Sequence, residues 1–130
     1  MQEYRVKVYE DRTEWFNLDG KRHRVDGPAI EWADGDKEWY QNDKLHREDG
    51  PAIERPDGST EWYVNDKLHR EDGPAIERPN GYKAWYLNDE ELTAAEFKAK
   101  AGIYAGREIT IDGKTYILQP AEEVYILRPK

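Results

Sequence analysis

The sequence predicts a mainly β fold, made of consecutive β-hairpin repeats and ended by a short helix and a small β cap. The first observation behind this prediction is a fixed period. Residues 21–43, 44–66 and 67–89 repeat one another, with 18 of 23 positions shared by the second and third copies and 16 by the first and second. The second observation is that every copy alternates strand-like segments with turn signals. The third is that the period stops after residue 89, where the signature of a helix start appears.

Each copy is predicted to form a hairpin. Gly-Pro opens a first strand that contains Ala-Ile-Glu, because Pro is tolerated at the first position of a strand. An Asp-Gly or Asn-Gly turn leads to a second strand around Trp-Tyr, and Asn-Asp marks a further turn before the next copy. The residues are Gly27-Pro28, Gly50-Pro51 and Gly73-Pro74 at the start, Trp39-Tyr40, Trp62-Tyr63 and Trp85-Tyr86 in the second strand, and Asn42-Asp43, Asn65-Asp66 and Asn88-Asp89 at the end.

Two registers of this hairpin are open, and they differ in loop length. A four-residue loop at 56–59 places Ile53 opposite Trp62, but it also faces Glu54 toward Glu61. A three-residue loop relieves that like-charge pair and sets Ile53 against Glu61. We prefer the four-residue loop because it groups the apolar side chains. The arginines expected to help neutralise the acids are Arg55 and Arg78.

Residues 1–20 are predicted to cap the N-terminal end of the repeats. The segment 14–16, followed by 19–23, looks like the second half of another repeat with one extra residue near Asn17. Upstream, apolar and polar side chains alternate as they do in a strand. The alternating positions are Tyr4, Val6 and Val8. Together these segments predict a terminal hairpin.

Residues 90–130 are predicted to form the opposite cap and to begin with a short helix. Thr93 and Glu96 fit a capping box for a helix near 93–101, and Gly102 is a plausible helix end. A hydrophobic staple is also predicted, between Leu92 and Phe97.

The rest of this cap is predicted to be β structure. Asp112-Gly113 is a strong two-residue hairpin signal, and it separates the strand-like segments 108–111 and 114–118. The segment 124–127 offers a third strand. Because the ends of a repeat array need covering, this small sheet is expected to cover one of them.

Composition limits the possible functions. At 130 residues the chain accommodates one ordinary domain or a short repeat array with caps. Without cysteine, neither a disulfide framework nor thiolate metal ligation is possible, so we expect a cytoplasmic protein. No apolar run approaches the roughly 20 residues that span a bilayer, and the start, MQEYRVKVYE, lacks the apolar core of a secretory signal. We therefore expect no membrane partner.

The net charge of −8 is concentrated in the repeats, since residues 19–89 carry 11 basic and 17 acidic side chains. Such a surface repels phosphate backbones, which disfavours direct nucleic-acid binding. The same negative charge favours a basic protein partner.

A 23-residue hairpin period with aromatic residues on one strand and a glycine-bounded turn resembles the MORN (membrane occupation and recognition nexus) repeat. The resemblance covers about residues 9–89. It is carried by Trp39-Tyr40, Trp62-Tyr63 and Trp85-Tyr86 with Gly27, Gly35, Gly50, Gly58, Gly73 and Gly81. The pattern HREDGPA…DG…EWY.ND looks like the divergent version found in small bacterial and bacteriophage proteins. The resemblance implies an elongated, single-layer, curved antiparallel sheet with aromatic residues stacked along a groove, used for protein association. Lipid contact is disfavoured because the repeats are acidic.

The histidines recur at the repeat period, and each is followed three residues later by an aspartate. Neighbouring copies lie about 10 Å apart in such a sheet, whereas zinc holds nitrogen ligands at about 2.0–2.1 Å, so the histidines cannot share an ion. We expect these residues and the neighbouring glycines to fix the inter-repeat turn. A proton relay is the alternative, but the only serine, Ser59, belongs to a turn. No metal, cofactor or catalytic residue is predicted. The turn residues are His23, His46 and His69, Asp26, Asp49 and Asp72, and Gly27, Gly50 and Gly73.

The repeated aromatic residues are expected to have two roles. The predicted core, in which the indole rings stack along the sheet, consists of Trp15, Trp39, Trp62 and Trp85 with Ile30, Ile53 and Ile76. In a regular strand the next residue points to the opposite face. The residues at those positions are Phe16, Tyr40, Tyr63 and Tyr86. They form either an exposed ladder that binds a partner or a half-exposed layer packed against a cap.

Acidic side chains complete the candidate partner-binding surface. They are Glu48, Asp49, Glu71 and Asp72. Either they are simply solvated, or they steer a basic partner toward the repeats. The sequence therefore predicts a non-enzymatic protein-binding module whose partner is basic or handles nucleic acids.

Family analogy adds a narrower version: a bacteriophage accessory protein that binds and inhibits a host antiviral defence protein in the bacterial cytoplasm. One alternative is a self-assembling structural protein that forms homodimers. Another is an acidic nucleic-acid mimic that blocks a nuclease or a DNA-binding protein.

Overall fold

The computed structural model describes residues 3–100, 107–121 and 124–130. Over this part of the chain there are sixteen short strands and one helix. The strands are β1 (Arg5–Val8), β2 (Arg12–Phe16), β3 (Ile30–Trp32), β4 (Lys37–Glu38), β5 (Tyr40–Gln41), β6 (Lys44–Leu45), β7 (Ile53–Glu54), β8 (Thr60–Glu61), β9 (Tyr63–Val64), β10 (Lys67–Leu68), β11 (Ile76–Glu77), β12 (Lys83–Leu87), β13 (Glu90–Leu92), β14 (Glu108–Ile111), β15 (Lys114–Ala121) and β16 (Val124–Pro129). The helix, α1 (Ala94–Lys100), follows β13.

Nine strands form one antiparallel sheet, in the order β1-β2-β3-β4-β7-β8-β11-β12-β13. Successive copies of the repeat lie side by side in this sheet and contribute two neighbouring strands each. The prediction of a mainly β fold made of consecutive hairpins, with a short helix near the C-terminus, is confirmed.

The register of the repeat hairpin differs from the preferred prediction by one residue. Ile53 pairs with Glu61, and Glu54 pairs with Thr60. Residues 56–58 therefore form a three-residue loop, closed by a hydrogen bond from the Arg55 N–H to the Ser59 carbonyl. The preferred four-residue loop is wrong.

Local turn chemistry decides this register. Gly58 adopts a φ of +94°, the left-handed conformation required at the end of a three-residue hairpin loop. The Asp57 carboxylate accepts a hydrogen bond from the Ser59 N–H, and this bond lowers the pKa of Asp57. Glu61 opposite Ile53 is tolerated because Arg55 and Arg78 both contact its carboxylate, at 3.5 and 3.2 Å.

A second hairpin joins the end of each copy to the residues that follow it, where the sequence indicated only a turn. Strands β9 and β10 pair across Asn65-Asp66, and both turn residues have positive φ, 49° and 67°. This conformation matches a two-residue hairpin turn, in which Asn and Asp are favoured. The chain changes from the large sheet to this small ladder at Trp62. The equivalent positive-φ turns are Asn42-Asp43 and Asn88-Asp89.

The hairpin predicted at the N-terminal end is present. Strand β1 pairs with β2 and forms one edge of the large sheet. Phe16 then bridges to Arg22, and the Asn17 N–H donates to the Lys21 carbonyl. Three residues, 18–20, span this turn instead of the two of the other copies. The half repeat with one extra residue near Asn17 is confirmed.

The helix and strands predicted after residue 89 are present where the structure describes them. Thr93 Oγ1 accepts the Glu96 N–H at 3.1 Å, and Glu96 Oε1 accepts the Thr93 N–H at 3.2 Å, which is a complete capping box. Leu92 and Phe97 are both buried. Strands β14, β15 and β16 form a three-stranded sheet, with Asp112 and Gly113 in the first turn. The predicted helix end, Gly102, lies outside the described residues.

The most deeply buried repeat positions are small. Ala29, Ala52 and Ala75 are each 0% exposed, and Ile30 and Ile53 are also buried. Most of the larger repeat residues are only half-buried. Those residues are Ile76, Trp15, Trp39, Trp62 and Trp85.

Candidate functional site

An arginine from each copy covers the tryptophan of the preceding half repeat or copy. The guanidinium carbon of Arg47 lies 4.1 Å from the centre of the Trp39 ring. The equivalent distances are 3.9 Å for Arg24 over Trp15 and 4.1 Å for Arg70 over Trp62. A cation at this distance is attracted by the face of the ring. The sequence predicted that the indole rings stack on one another. Instead, an arginine guanidinium lies over each of these three rings.

The same guanidinium is fixed by oxygen atoms of its own copy. Arg47 donates from Nε to Asp49 and from Nη1 to both the Pro51 carbonyl and Glu54, each at 3.1 Å. The equivalent partners are Asp26, Pro28 and Glu31 for Arg24, and Asp72, Pro74 and Glu77 for Arg70. We call each arginine with its tryptophan an Arg-Trp clasp.

The clasp explains the glycine of the Asp-Gly-Pro motif. A Cβ atom on Gly50 would lie 2.6 Å from Cζ of Arg47. The corresponding distances are 2.8 Å between Gly27 and Arg24 and 2.9 Å between Gly73 and Arg70. These glycines were predicted to fix a turn, and the structure shows that they also leave space for the guanidinium.

The histidine near the start of each copy holds the Asn-Asp turn that ends the same copy. Nδ1 of His46 accepts a hydrogen bond from the Asn65 N–H at 3.1 Å. Asp66, in the same turn, accepts the Leu45 N–H at 2.7 Å. Because Nδ1 is the acceptor, a neutral imidazole carries its proton on Nε2. His23 and His69 make the same contact with Asn42 and Asn88. The aspartates Asp26, Asp49 and Asp72, in contrast, bind the clasp arginines.

The tyrosines are held by glutamates. The Tyr40 hydroxyl donates to Glu38 at 3.0 Å, and the Tyr63 hydroxyl donates to Glu61 at 3.1 Å. Burial, reinforced by the adjacent glutamate, raises the pKa of Tyr63 to about 12 and also raises the pKa of Tyr40. Burial and Glu91 likewise raise the pKa of Tyr86. All three tyrosines are half-buried.

The structure separates the tyrosines from the acidic candidates. Tyr63 shares a face of the sheet with Glu61 and with Ile53, the residue paired to Glu61. Arg47 reaches Glu54, the neighbour of Ile53 along the strand, and successive strand residues face opposite sides. The clasps therefore lie on the face opposite the tyrosines. The acidic candidates follow the clasp arginines in the chain.

Two equivalent grooves run across this second face. Groove 1 has a volume of about 580 Å³ and is lined by residues 24–28 and 46–49, together with Trp39 and Gln41. Groove 2 has a volume of about 510 Å³ and is lined by 47–49 and 69–72, together with Trp62 and Val64. Every lining residue of groove 2 lies 23 positions after a lining residue of groove 1.

The carboxylates beside the grooves are strongly exposed. The exposed fractions of the side chains are 80% for Glu48, 89% for Asp49, 82% for Glu71 and 78% for Asp72. We call these four residues the rim carboxylates. The structure thus brings the acidic candidates together with two of the predicted core tryptophans and with His46 and His69.

The clasp arginines are the residues that sequence reasoning missed. Their signal is visible in retrospect, since all three copies share Arg-x-Asp-Gly-Pro-Ala-x-Glu, and the tryptophan stands eight residues earlier in two cases and nine in the third. The spacing of nine residues separates Trp15 from Arg24, because the turn after Asn17 is one residue longer.

Fold and grooves together define the class of the chain, a β-hairpin repeat protein with a repeated surface groove. Comparisons with protein-family models, curated proteins and solved structures gave no match. Among the described residues, no helix is long and apolar enough to cross a bilayer. The same residues contain no cluster of three metal-binding side chains.

Proposed function

We propose that this protein is a non-enzymatic binding module that docks a basic segment of a protein partner in its two grooves. The observation that carries the proposal is the equivalence of the grooves, each of which combines a half-buried tryptophan with exposed carboxylates. A surface that repeats with the fold suits the binding of an extended partner. A catalytic centre, in contrast, normally requires one unique constellation of side chains.

The charge that a partner meets is negative. Arg47 and Arg70 also line groove 2, but their side chains are only 23% and 20% exposed, and each is neutralised by two carboxylates of its own copy. The rim carboxylates include one partner of each of these arginines, Asp49 and Asp72, but all four keep most of their surface in contact with solvent. They attract a cationic partner and repel phosphate groups of nucleic acids and anionic lipids.

The predicted tyrosine ladder contributes less to this proposal. The hydroxyls of Tyr40 and Tyr63 are already bound to glutamates, and these rings lie on the face opposite the clasps. A partner is therefore proposed to contact the tryptophan face first.

Binding of a nine-residue oligo-arginine peptide, followed by calorimetry, tests this proposal. In the groove variant, Glu48→Gln, Asp49→Asn, Glu71→Gln and Asp72→Asn are combined. The control variant carries the same change of net charge at exposed residues outside the grooves: Glu3→Gln, Glu10→Gln, Asp19→Asn and Asp112→Asn. We expect the wild type and the control variant to bind the peptide and the groove variant to lose binding. Equal losses in both variants would mean that only net charge matters, and the proposal would fail.

Inhibition of a host defence protein by a bacteriophage-encoded chain is a narrower form of the same proposal. It rests on the family resemblance alone. The acidic mimic is a related form, in which the rim carboxylates occupy the basic cleft of a nucleic-acid-handling protein. Competition with DNA for a candidate nuclease distinguishes this form, because a mimic must displace the nucleic acid.

Self-association is a second candidate function, supported by a different surface. Ile109, Ile111 and Leu127 are exposed, and the strand pairing places all three on one face of the sheet formed by β14, β15 and β16. Apolar residues grouped in this way favour contact with another protein surface. Sedimentation at several concentrations tests this candidate. A monomer at every concentration would exclude a homodimer.

A further inference from the structure

We propose that the segment bound in the grooves is a polyproline II helix with a cationic side chain at every third residue. This inference rests on the proposed function, and it specifies the conformation and the spacing of the ligand. It is argued from the order of the strands, which sets the spacing of the grooves, and from the half-buried tryptophans and the rim carboxylates.

Equivalent groove positions are separated by two strands of the large sheet, because each copy contributes two neighbouring strands. At about 4.8 Å per strand, successive grooves are about 9.6 Å apart. The grooves follow one another across the strands. A ligand that fills both grooves therefore lies across the strands as well, and its contacts should recur at this distance.

Polyproline II geometry matches that distance. It has three residues per turn and a rise of about 3.1 Å per residue, so residues i and i+3 share a face about 9.3 Å apart. In a β-strand, residues on one face are about 6.7 or 13.4 Å apart, and neither spacing fits. An α-helix places i and i+7 about 10.5 Å apart, so it departs from the groove spacing by about 0.9 Å, compared with about 0.3 Å for a polyproline II helix.

The chemistry of the grooves also suits such a ligand. Proline rings pack on aromatic side chains, and a preformed polyproline helix loses little conformational entropy on binding. Trp39 and Trp62 are the aromatic side chains in the grooves. Three successive cations would face Asp26, Asp49 and Asp72, whose side chains are between 77% and 89% exposed although each also accepts a hydrogen bond from its clasp arginine. Arginine is favoured over lysine, because its planar fork suits a carboxylate.

Synthetic peptides test the spacing, and the first two have equal composition. The first peptide is (Arg-Pro-Pro)₃, with arginines at every third residue. The second contains the same residues with arginines at positions 1, 3 and 5. The third is an alanine-based helical peptide with three arginines seven residues apart. Calorimetry measures the affinity of each peptide for the wild type, the groove variant and the control variant. Circular dichroism and thermal unfolding confirm that the variants are folded.

We expect the first peptide to bind the wild type and the control variant about tenfold more tightly than the second. The groove variant should lose this preference. Equal affinity for the first two peptides would overturn the inferred spacing, and tighter binding of the helical peptide would overturn the inferred conformation. Absence of binding by the first peptide would overturn the inference as a whole. The oligo-arginine experiment judges the proposed function separately, so the two can fail independently.

Discussion

Arg47 and Trp39 belong to different copies of the repeat, and the contact of 4.1 Å between them joins those copies. The contact depends on residues of both copies. Trp39 supplies the ring. In the copy of Arg47, Asp49 and Glu54 bind the guanidinium, and Gly50 leaves space for it. The inter-repeat interface is therefore built from side chains as well as from strand pairing.

Replacing Arg47 with Ala should lower the free energy of unfolding by about 2–3 kcal/mol, because the contact with the ring and several hydrogen bonds are lost together. Arg47→Lys keeps the charge without the planar fork, and it should recover less than half of the loss. Urea unfolding measures both effects. Lys44→Met removes an exposed cation nearby and is the control, expected to stay within about 0.5 kcal/mol of the wild type. Similar losses at both positions would contradict the clasp.

Gly50→Ala should destabilise the protein by about 1–2 kcal/mol, because the added methyl group displaces the guanidinium of Arg47. The cost should shrink when Arg47 is already alanine, and a double-mutant cycle measures this coupling. Gly58→Ala is the comparison. Its methyl group meets open space, but φ is +94°, so it should cost about 1 kcal/mol whether or not Arg47 is present. A vanishing coupling for Gly50 would refute the steric explanation.

Asp66→Ala should cost about 2 kcal/mol, since it removes the acceptor of the Leu45 N–H and places alanine at a φ of 67°. Asp66→Asn keeps an acceptor and tolerates positive φ, and it should cost less than half as much. Thermal unfolding of the two variants tests whether the docked Asn-Asp turn stabilises the array. Equal costs would indicate that the charge of Asp66 matters and that its hydrogen bond does not.

Alkaline pH should destabilise the fold through Tyr63. Its pKa in the folded protein is about 12, above the ordinary value near 10 of an unfolded tyrosine. The folded state therefore holds this proton more tightly, so the stabilisation is complete below about pH 10 and is lost as the pH rises toward 12.

Unfolding experiments between pH 9 and 12 should show a smaller decline for Tyr63→Phe than for the wild type. Absorbance at the phenolate wavelength should show one fewer tyrosine that titrates near pH 12. A decline of equal size in both proteins would assign the alkaline sensitivity to other groups.

The sequence predicted the parts of the fold that local chemistry determines. The Asp112-Gly113 turn, the Thr93-Glu96 capping box and the extra residue near Asn17 each depend on residues close in the chain, and all three are present. The register of the repeat hairpin was missed because apolar grouping was given more weight than the requirement of Gly58 for positive φ.

The grooves could be predicted only in part. The acidic residues and tryptophans were recognised as repeated, but their common surface depends on a contact between copies. In the chain, Arg47 appears beside Glu48 and Asp49, and nothing local indicates that it reaches Trp39. The contact between Arg47 and Trp39 becomes visible only when neighbouring copies are placed side by side in the sheet.

The Arg-Trp clasp has a consequence for how such an array can change in length. Each clasp joins the arginine of one copy to the tryptophan before it, so a clasp needs two adjacent copies, or one copy and the half repeat that precedes it. Removing residues 44–66 would join Asp43 to Lys67, bring Arg70 to Trp39 and leave a single groove. Duplicating that segment would add one groove. Under the proposed function, the affinity for a long partner would therefore change in steps of one groove per copy, without any new kind of contact.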